Sequence, residues 1–337
     1  MKKITVFLIV FILGFLMGEY AFAQEEISAI KDAKINRYIK QLKTGRDFQK
    51  ARTNLIDEGS VAVPCLVAAL SNPDTKSRQK RIIISILGQI KDPEATDALI
   101  KISKDEDPKI RMAASKALGE IQDKKSVESL TDRTKDEDPN VRLSSIRALA
   151  EIGDPKVANV LMDALSDKNP EIRLYAVKGL GKMEHKGAVK ELSRMVDDPS
   201  KGVRLAVARA LGSINDASCV PALSKLTEDT SIIIQVDAVQ SLGSIKDKES
   251  LNALMRTSDS KDKYVRYYSA IALGKLGYNE CVPTLAKLLK DENTVTRIAA
   301  ATSLSEIGTK DAKNALETVK NDEISRVRYI AARALRN

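Results

Sequence analysis

The chain repeats one unit, which has the sequence DPKIRMAASKALGEI from Asp107 to Ile121. Arginine returns at the position of Arg111 every 31 residues, and only Lys80 and Gln235 replace it. This column contains Arg111, Arg142, Arg173, Arg204, Arg266, Arg297 and Arg328. Two leucine columns keep the same spacing, as at Leu118 and Leu130. A fixed period of this length is typical of a solenoid, in which each unit buries its apolar face only against its neighbours.

Each unit contains two predicted helices, here called helix A and helix B. Asp107-Pro108 places a capping side chain before a first-turn proline, which marks the start of helix A. Asp92-Pro93 marks the start of helix B in the same way. Strand patterns are absent from the sequence. These signals predict an all-α fold, a right-handed α-solenoid of about nine two-helix repeats over residues 46–337.

Glycine returns near the end of helix A, where it should be unfavourable. A glycine inside a helix costs about 1 kcal/mol relative to alanine. Its recurrence therefore predicts that a neighbouring helix crosses there, with no room for a side chain. The glycines are Gly88, Gly119, Gly181, Gly212, Gly243 and Gly274, with Ala150 and Ser305 as small replacements.

Residues 1–23 have the pattern of a signal peptide. Lys2-Lys3 supplies the positive start, an apolar run follows from Ile4 to Met17, and Ala21-Phe22-Ala23 forms a small-residue cleavage site. We expect a mature chain that begins at Gln24, in the periplasm or secreted, without stable membrane insertion after cleavage. An uncleaved membrane anchor is the alternative.

Residues 24–45 predict a helix that caps the first repeat. Ile30, Ile35, Ile39 and Leu42 recur at helical spacing and would form its apolar face. The solenoid would then begin at residue 46, with an irregular first repeat, as terminal repeats often are.

Composition limits the classes of partner. The 337 residues carry a net charge of +9, but 30% of them are charged and the two signs are mixed along the chain. Nucleic-acid binding normally requires a concentrated basic stripe. Charge alone therefore disfavours nucleic acid as a partner.

The repeat resembles a known family of helical repeats. A V-R-x-x-A-x-x-A-L-G-x-I pattern, approximated by Val141–Ile152, precedes Asp154-Pro155 and the helix B leucine. It is similar to HEAT repeats of the short phycobilisome-lyase type, over residues 46–337. The resemblance implies an α-solenoid with helix B on the concave side. The family's functions differ widely and include scaffolds, chromophore lyases, DNA-repair proteins and a di-iron hydroxylase.

Catalytic and metal-binding patterns are not recognisable in the sequence. His185 is the only histidine, whereas the hydroxylases of this family bind iron through several His-Glu pairs. Cys219 and Cys281 share one repeat position two units apart, too far for a disulfide, and Cys65 has no evident partner. We therefore expect buried, inert thiols, no cofactor, no metal and no enzymatic activity.

The arginine column has two interpretations, a phosphate site and a structural ladder. The family resemblance favours the ladder, because its arginine joins neighbouring units through loop acidic groups and carbonyls. Asp107, Asp138 and Asp262 lie four residues before their arginines and are the expected partners.

Two surfaces depart from the repeat average and are candidate binding sites. On helix B, the face opposite the core leucine changes from acidic in early units, as at Asp97 and Asp163, to basic in later ones. This predicts a groove for a partner with an acidic segment. Its basic residues are Lys190, Arg194, Lys225, Arg256 and Lys287.

The second surface is an apolar cluster on helix A of the late repeats. Ile233, Tyr264 and Val295 occupy one position in three successive units, where earlier units have polar or small residues. Tyr268 and Ile271 continue the cluster at helical spacing. The cluster predicts self-association or partner binding through repeats seven to nine. Burial of these side chains within the stack is the competing interpretation.

Together these features predict an exported, non-enzymatic scaffold that binds a protein partner. One alternative is a subunit or chaperone-like component of an enzyme that resembles the phycobilin lyases. A second alternative is a HEAT-like protein that binds nucleic acid.

Overall fold

The structure, a computed structural model, describes residues 29–42 and 47–336. All regular elements in these two ranges are helices, so the predicted all-α class is confirmed. The predicted signal peptide, residues 1–23, lies outside the described residues.

Twenty α-helices follow one another along the described chain. They are α1 (29–41), α2 (Phe48–Asp57), α3 (Val63–Ser71), α4 (Ser77–Ile90), α5 (Thr96–Ile102), α6 (Pro108–Ile121), α7 (Val127–Arg133), α8 (Pro139–Ile152), α9 (Ala158–Ala164), α10 (Pro170–Lys182), α11 (Val189–Arg194), α12 (Lys201–Ile214), α13 (Val220–Leu226), α14 (Ile232–Ile245), α15 (Ser250–Thr257), α16 (Lys263–Leu276), α17 (Val282–Leu288), α18 (Thr294–Ile307), α19 (Lys310–Glu317) and α20 (Ser325–Arg336). From α2 onward the even-numbered helices are helix A and the odd-numbered ones helix B. Nine A/B pairs, α2/α3 to α18/α19, therefore precede α20, which agrees with the predicted repeat number.

The predicted caps start the helices as the sequence indicates. The Asp107 carboxylate accepts a hydrogen bond from Lys109 N at 2.9 Å, ahead of Pro108 in the first turn of α6. At the second site, Asp92 caps a short 3-10 turn, Pro93–Ala95, and α5 follows it directly. Each cap satisfies a backbone amide that the helix itself leaves without a partner.

Stacking of helix A on helix A forms the core. The helices α4, α6 and α8 pack in sequence, and so do α10, α12, α14, α16, α18 and α20. The column leucines from Leu87 to Leu316 have no exposed surface. Because each unit adds one thin layer, the core extends along the stack instead of forming one deep centre.

The glycine column marks the close approach between these helices. A Cβ built on Gly243 would lie 2.7 Å from the Ala272 Cβ, and one on Gly181 would lie 2.7 Å from the Ala210 Cβ. Real Cβ atoms do not approach so closely, so the crossing predicted from glycine is confirmed.

The helix α1 packs on the first repeats through Ile35 and Ile39, and Leu42 directly after it is buried as well. Gln79 Nε2 of α4 donates a hydrogen bond to the Ile39 carbonyl at 3.1 Å. Ile30 was expected on the same apolar face, but this was wrong, because its side chain is 66% exposed. Its register, five residues before Ile35, turns it away from the contact.

Contacts divide the chain into two compact units, one up to Ile152 and one from Gly153. No single helix within residues 29–42 and 47–336 is both long and apolar enough to cross a membrane. One pair of helices, Phe48–Asp57 with Gly59–Ser71, has the length and composition of a membrane span when the two are taken together, but the pair is bent by 115°.

Candidate interaction surfaces

The column arginines form a ladder along the loops that precede helix A. All seven donate a hydrogen bond from Nη1 to carbonyl oxygens of the loop before their own helix. Arg111 also donates from Nε and Nη2 to the two carboxylate oxygens of Asp136, at 2.9 and 2.8 Å. We call the column arginines with these loop aspartates the arginine ladder. Rungs with this double contact are Arg111–Asp136, Arg173–Asp198, Arg204–Asp229 and Arg266–Asp291.

The carboxylate partner differs from the one that the sequence suggested. Asp107, Asp138 and Asp262 cap their helices through Lys109 N, Asn140 N and Tyr264 N. The partner lies 25 residues after the arginine, in the loop that leads to the next helix A. Asp107, Asp138 and Asp262 make no hydrogen bond to a column arginine within the described residues, and their carboxylates cap the helix ends instead.

The ladder carboxylates are ionised despite their burial. Burial raises the pKa of Asp198, but hydrogen bonds from Arg173 and from Ser200 N outweigh it, so the pKa lies below its usual value. The pKa values of Asp136, Asp229 and Asp291 shift in the same direction for the same reasons. In these rungs the arginine fork is filled by carboxylate, which leaves its strongest donors unavailable to phosphate.

Between α14 and α16 both residues of a rung are replaced. Gln235 replaces arginine, and Ser260 stands at the position where the other units have the partner aspartate. Gln235 Nε2 still donates to the Asp229 carbonyl at 2.6 Å, and Ser260 Oγ still accepts from Asp262 N at 3.2 Å. Both residues keep their local hydrogen bonds and lose only the link between units. The arginine column and the column 25 residues later are thus interrupted in the same rung. This shared interruption is the signal that could have identified the partner column from sequence.

The basic residues of helix B are all exposed, but most of them have carboxylates nearby. Lys225 pairs with Asp197 of the preceding repeat. The next two repeats form the same pair, with Arg256 3.6 Å from Glu228 and Lys287 2.6 Å from Asp259. Arg194 lies 4.0 Å from Glu191, and Lys190 makes no ion pair with any residue that the structure describes. These carboxylates reduce the positive potential that the predicted groove would offer to an acidic segment or to nucleic acid.

The structure divides the apolar cluster into two parts. Ile233, Tyr264 and Val295 are 54%, 56% and 51% exposed at the beginnings of α14, α16 and α18. We call these three residues the apolar ridge. Tyr268 and Ile271 are half-buried and line a groove instead. The ridge side chains are therefore accessible, whereas the other two are only partly so.

Sequence reasoning missed two exposed apolar residues in the late repeats. Ile232, next to Ile233, is 37% exposed, and Tyr329 of α20 is 57% exposed. Tyr329 directly follows the last column arginine, where other units have half-buried residues such as Leu174 and Val236. The repeat position alone therefore gives no signal of the exposure of Tyr329.

The cysteines differ in environment. Cys219 and Cys281 are buried, and burial raises the pKa of the Cys281 thiol to about 11. Cys65 was expected in the core, but this was wrong, since it is half-buried with its Sγ 3.4 Å from Asp32 Oδ1. Asp32 belongs to α1, so this thiol lies where α1 meets α3 of the first repeat. Within the described residues, no group of three or more His, Cys, Asp or Glu side chains is arranged to hold a metal ion.

Comparison with known proteins identifies the repeat. The family model for HEAT repeats matches four overlapping segments, residues 63–137, 128–202, 192–266 and 255–336. A crystal structure of an engineered protein aligns with a TM-score of 0.61 at 20% identity, over 90% of this chain and 98% of that one. Importin beta aligns with a TM-score of 0.61 at 14% identity, over 88% of this chain and 50% of that one. No curated protein matches the sequence. At these identities the structural matches support the α-solenoid fold only.

Proposed function

This chain belongs to the HEAT-repeat family, and from that premise we propose that it is an exported, non-enzymatic scaffold that binds a protein partner. The apolar ridge carries the proposal. Three large apolar side chains stand exposed on three successive A helices, in a chain whose column leucines from Leu87 to Leu316 are buried. Aromatic and large apolar residues grouped on a surface usually mark a contact site.

The late repeats hold most of the exposed apolar surface. Among the large apolar side chains that the structure describes, more than half of the surface is exposed only in the ridge, in Tyr329 and in Ile30 at the opposite end of the chain. Ile232 extends the ridge along α14. A partner that covers this region would remove from water the apolar side chains that folding leaves exposed.

Two occupants fit the ridge, a partner protein and a second copy of this chain. The basic residues of helix B offer a second surface for an acidic segment, with Lys190 and Arg194 the least neutralised of the five. The ridge is the stronger candidate, because burial of apolar surface contributes affinity, whereas exposed charges mainly raise the association rate.

The ridge is tested by replacing Ile233, Tyr264 and Val295 with serine in the mature chain. We expect at least tenfold weaker partner capture from the envelope fraction, with unchanged helical signal, since the side chains touch little of the core. The matched control is Asn140→Ser with Glu171→Ser, at the same position of α8 and α10. Sedimentation equilibrium compares the masses of the wild type and the ridge variant. An oligomer that forms only in the wild type would identify a second copy as the occupant. Equal capture and equal mass for wild type and ridge variant would contradict the proposal.

Export is tested separately by N-terminal sequencing of protein from the same fraction. The Ala21-Phe22-Ala23 pattern predicts a first residue of Gln24. A chain that retains Met1 and sediments with membranes would support an anchor instead.

A further inference from the structure

Two adjoining grooves cross the A helices from α10 to α16. The first has a volume of about 450 Å³ and lies between α10 and α12. The second has a volume of about 690 Å³ and lies against α12, α14 and α16. Both are lined by helix A residues, and they share Arg209 and Ser213. We call the combined feature the outer groove.

Apolar side chains form the walls of the outer groove at both ends. Leu174 and Leu205 line its α10–α12 part, and Tyr268 and Ile271 line its α16 part. All four are half-buried, so part of each remains open to a ligand. Arg209 and Ser213 of α12 lie between these walls, where the two parts adjoin.

The charge of the groove differs from that of the same positions in the early repeats. In α6 and α8 the basic residue equivalent to Lys178 and Arg209 has a carboxylate four positions later, with Lys116–Glu120 at 3.8 Å and Arg147–Glu151 at 2.8 Å. These i,i+4 pairs neutralise the helix A surface there.

From α10 to α16 the carboxylate of that pair is lost. Lys182, Ser213, Ser244 and Lys275 occupy the position of Glu120 and Glu151 in successive units. Arg209 pairs with Asp237 at 2.6 Å, the one acidic residue of the lining. Lys178 and Lys275 are exposed and make no ion pair within the described part of the chain. The groove therefore combines apolar walls with a basic rim.

We infer that the outer groove binds an acidic peptide segment of a partner protein, with apolar side chains against the walls and carboxylates on the rim lysines. Charge complementarity selects this occupant, because a basic segment would meet Lys178 and Lys275 as like charges. A purely apolar segment would offer those lysines no carboxylate partner. The inference rests on the proposed interaction function, but it uses a surface distinct from the apolar ridge.

The test uses the mature chain and a displayed library of random 16-residue peptides as the probe. Enriched peptides should contain an excess of Asp and Glu together with Leu, Ile or Phe. Their binding should weaken at least tenfold in Ser213→Trp, which fills the point that both grooves share. The double variant Lys178→Glu with Lys275→Glu should also weaken binding and reduce its dependence on salt. Ser213, Lys178 and Lys275 are exposed, so these changes should leave the fold intact.

The matched control is Gln89→Trp, which adds the same side chain at the same exposed position of α4. It should bind the enriched peptides as wild type does. Peptides without an acidic excess, or peptides that bind Ser213→Trp as tightly as wild type, would overturn the inference. A change of oligomeric state in Ser213→Trp would also overturn it, since a second copy would then be the occupant. Loss of native partner capture in the ridge variant but not in Ser213→Trp would leave the proposed function standing without the groove.

Discussion

Substituting Gln235→Arg together with Ser260→Asp should add the rung that the arginine ladder lacks between α14 and α16. Both residues already make the local hydrogen bonds that arginine and aspartate make elsewhere, to the Asp229 carbonyl and from Asp262 N. The new guanidinium should therefore begin in the correct orientation. The new carboxylate should face its fork, as Asp291 faces that of Arg266.

The magnitude follows from the existing rungs. The side chains of Asp198, Asp229 and Asp291 are 7%, 6% and 5% exposed, so solvent screens these pairs less than surface pairs, which contribute about 0–1 kcal/mol. Hydrogen bonds to charged groups contribute about 1.5–3 kcal/mol. We expect a coupling free energy of about 2 kcal/mol between the two substitutions. Each single substitution should be neutral or destabilising, because it adds a charge without its partner.

A double-mutant cycle by urea unfolding measures this coupling, with hydrogen exchange of the 258–262 loop amides as a local readout. The reverse cycle, Arg204→Gln with Asp229→Ser, copies the natural exception onto a complete rung and should show a coupling of similar size. A coupling below about 0.5 kcal/mol in both cycles, within ordinary additivity error, would show that the rungs do not join the units energetically.

Three further predictions concern packing, pH and thiol reactivity. Gly243→Val should lower the free energy of unfolding by about 3 kcal/mol through overpacking against Ala272. At Gly202 the nearest atom to an added Cβ is 3.7 Å away, so Gly202→Ala should be neutral or slightly stabilising. Thermal melts of the two variants test this difference. The ladder aspartates have folded pKa values below those of the unfolded chain. Their contribution to the free energy of unfolding is therefore present above about pH 4 and is lost as the pH falls through the folded pKa values. A urea midpoint that stays constant between about pH 5 and 2 would contradict this. A thiol reagent should label Cys65 in the folded protein and reach the two buried cysteines only after unfolding, as mass spectrometry of the labelled peptides can show.

The repeat period predicted the fold because one constraint acts many times. Each unit must bury its leucines against the next, so Leu118 and its equivalents return at a fixed spacing. The glycine column predicted a contact between helices for the same reason, since only close approach explains a residue that weakens the helix.

The candidate surfaces were less predictable, because they depend on contacts between units. The loop before α8 contains Asp136, Glu137 and Asp138 in succession, and the repeat period alone does not distinguish them, whereas the structure shows that Asp136 accepts both fork hydrogen bonds of Arg111. The carboxylate beside Lys225 likewise comes from the preceding repeat, at Asp197. Exposure also depends on neighbours. Tyr264 and Tyr268 lie on one helix face, but only Tyr268 lines the groove that α12 and α14 border, so the two side chains differ in exposure.

The missing rung has a mechanical consequence. A repeat stack behaves as a one-dimensional series of joints, whose strength depends on the coupling of adjacent units. The joint between α14 and α16 keeps its helix packing and lacks the loop clamp that strengthens the joints on either side, at Arg204 and Arg266. Under a pulling force we therefore expect α14 and α16 to separate before any other pair of adjacent A helices from α10 to α20. The outer groove crosses the same joint. A peptide bound from α12 to α16 would therefore link α14 to α16 and raise the force at which this joint opens.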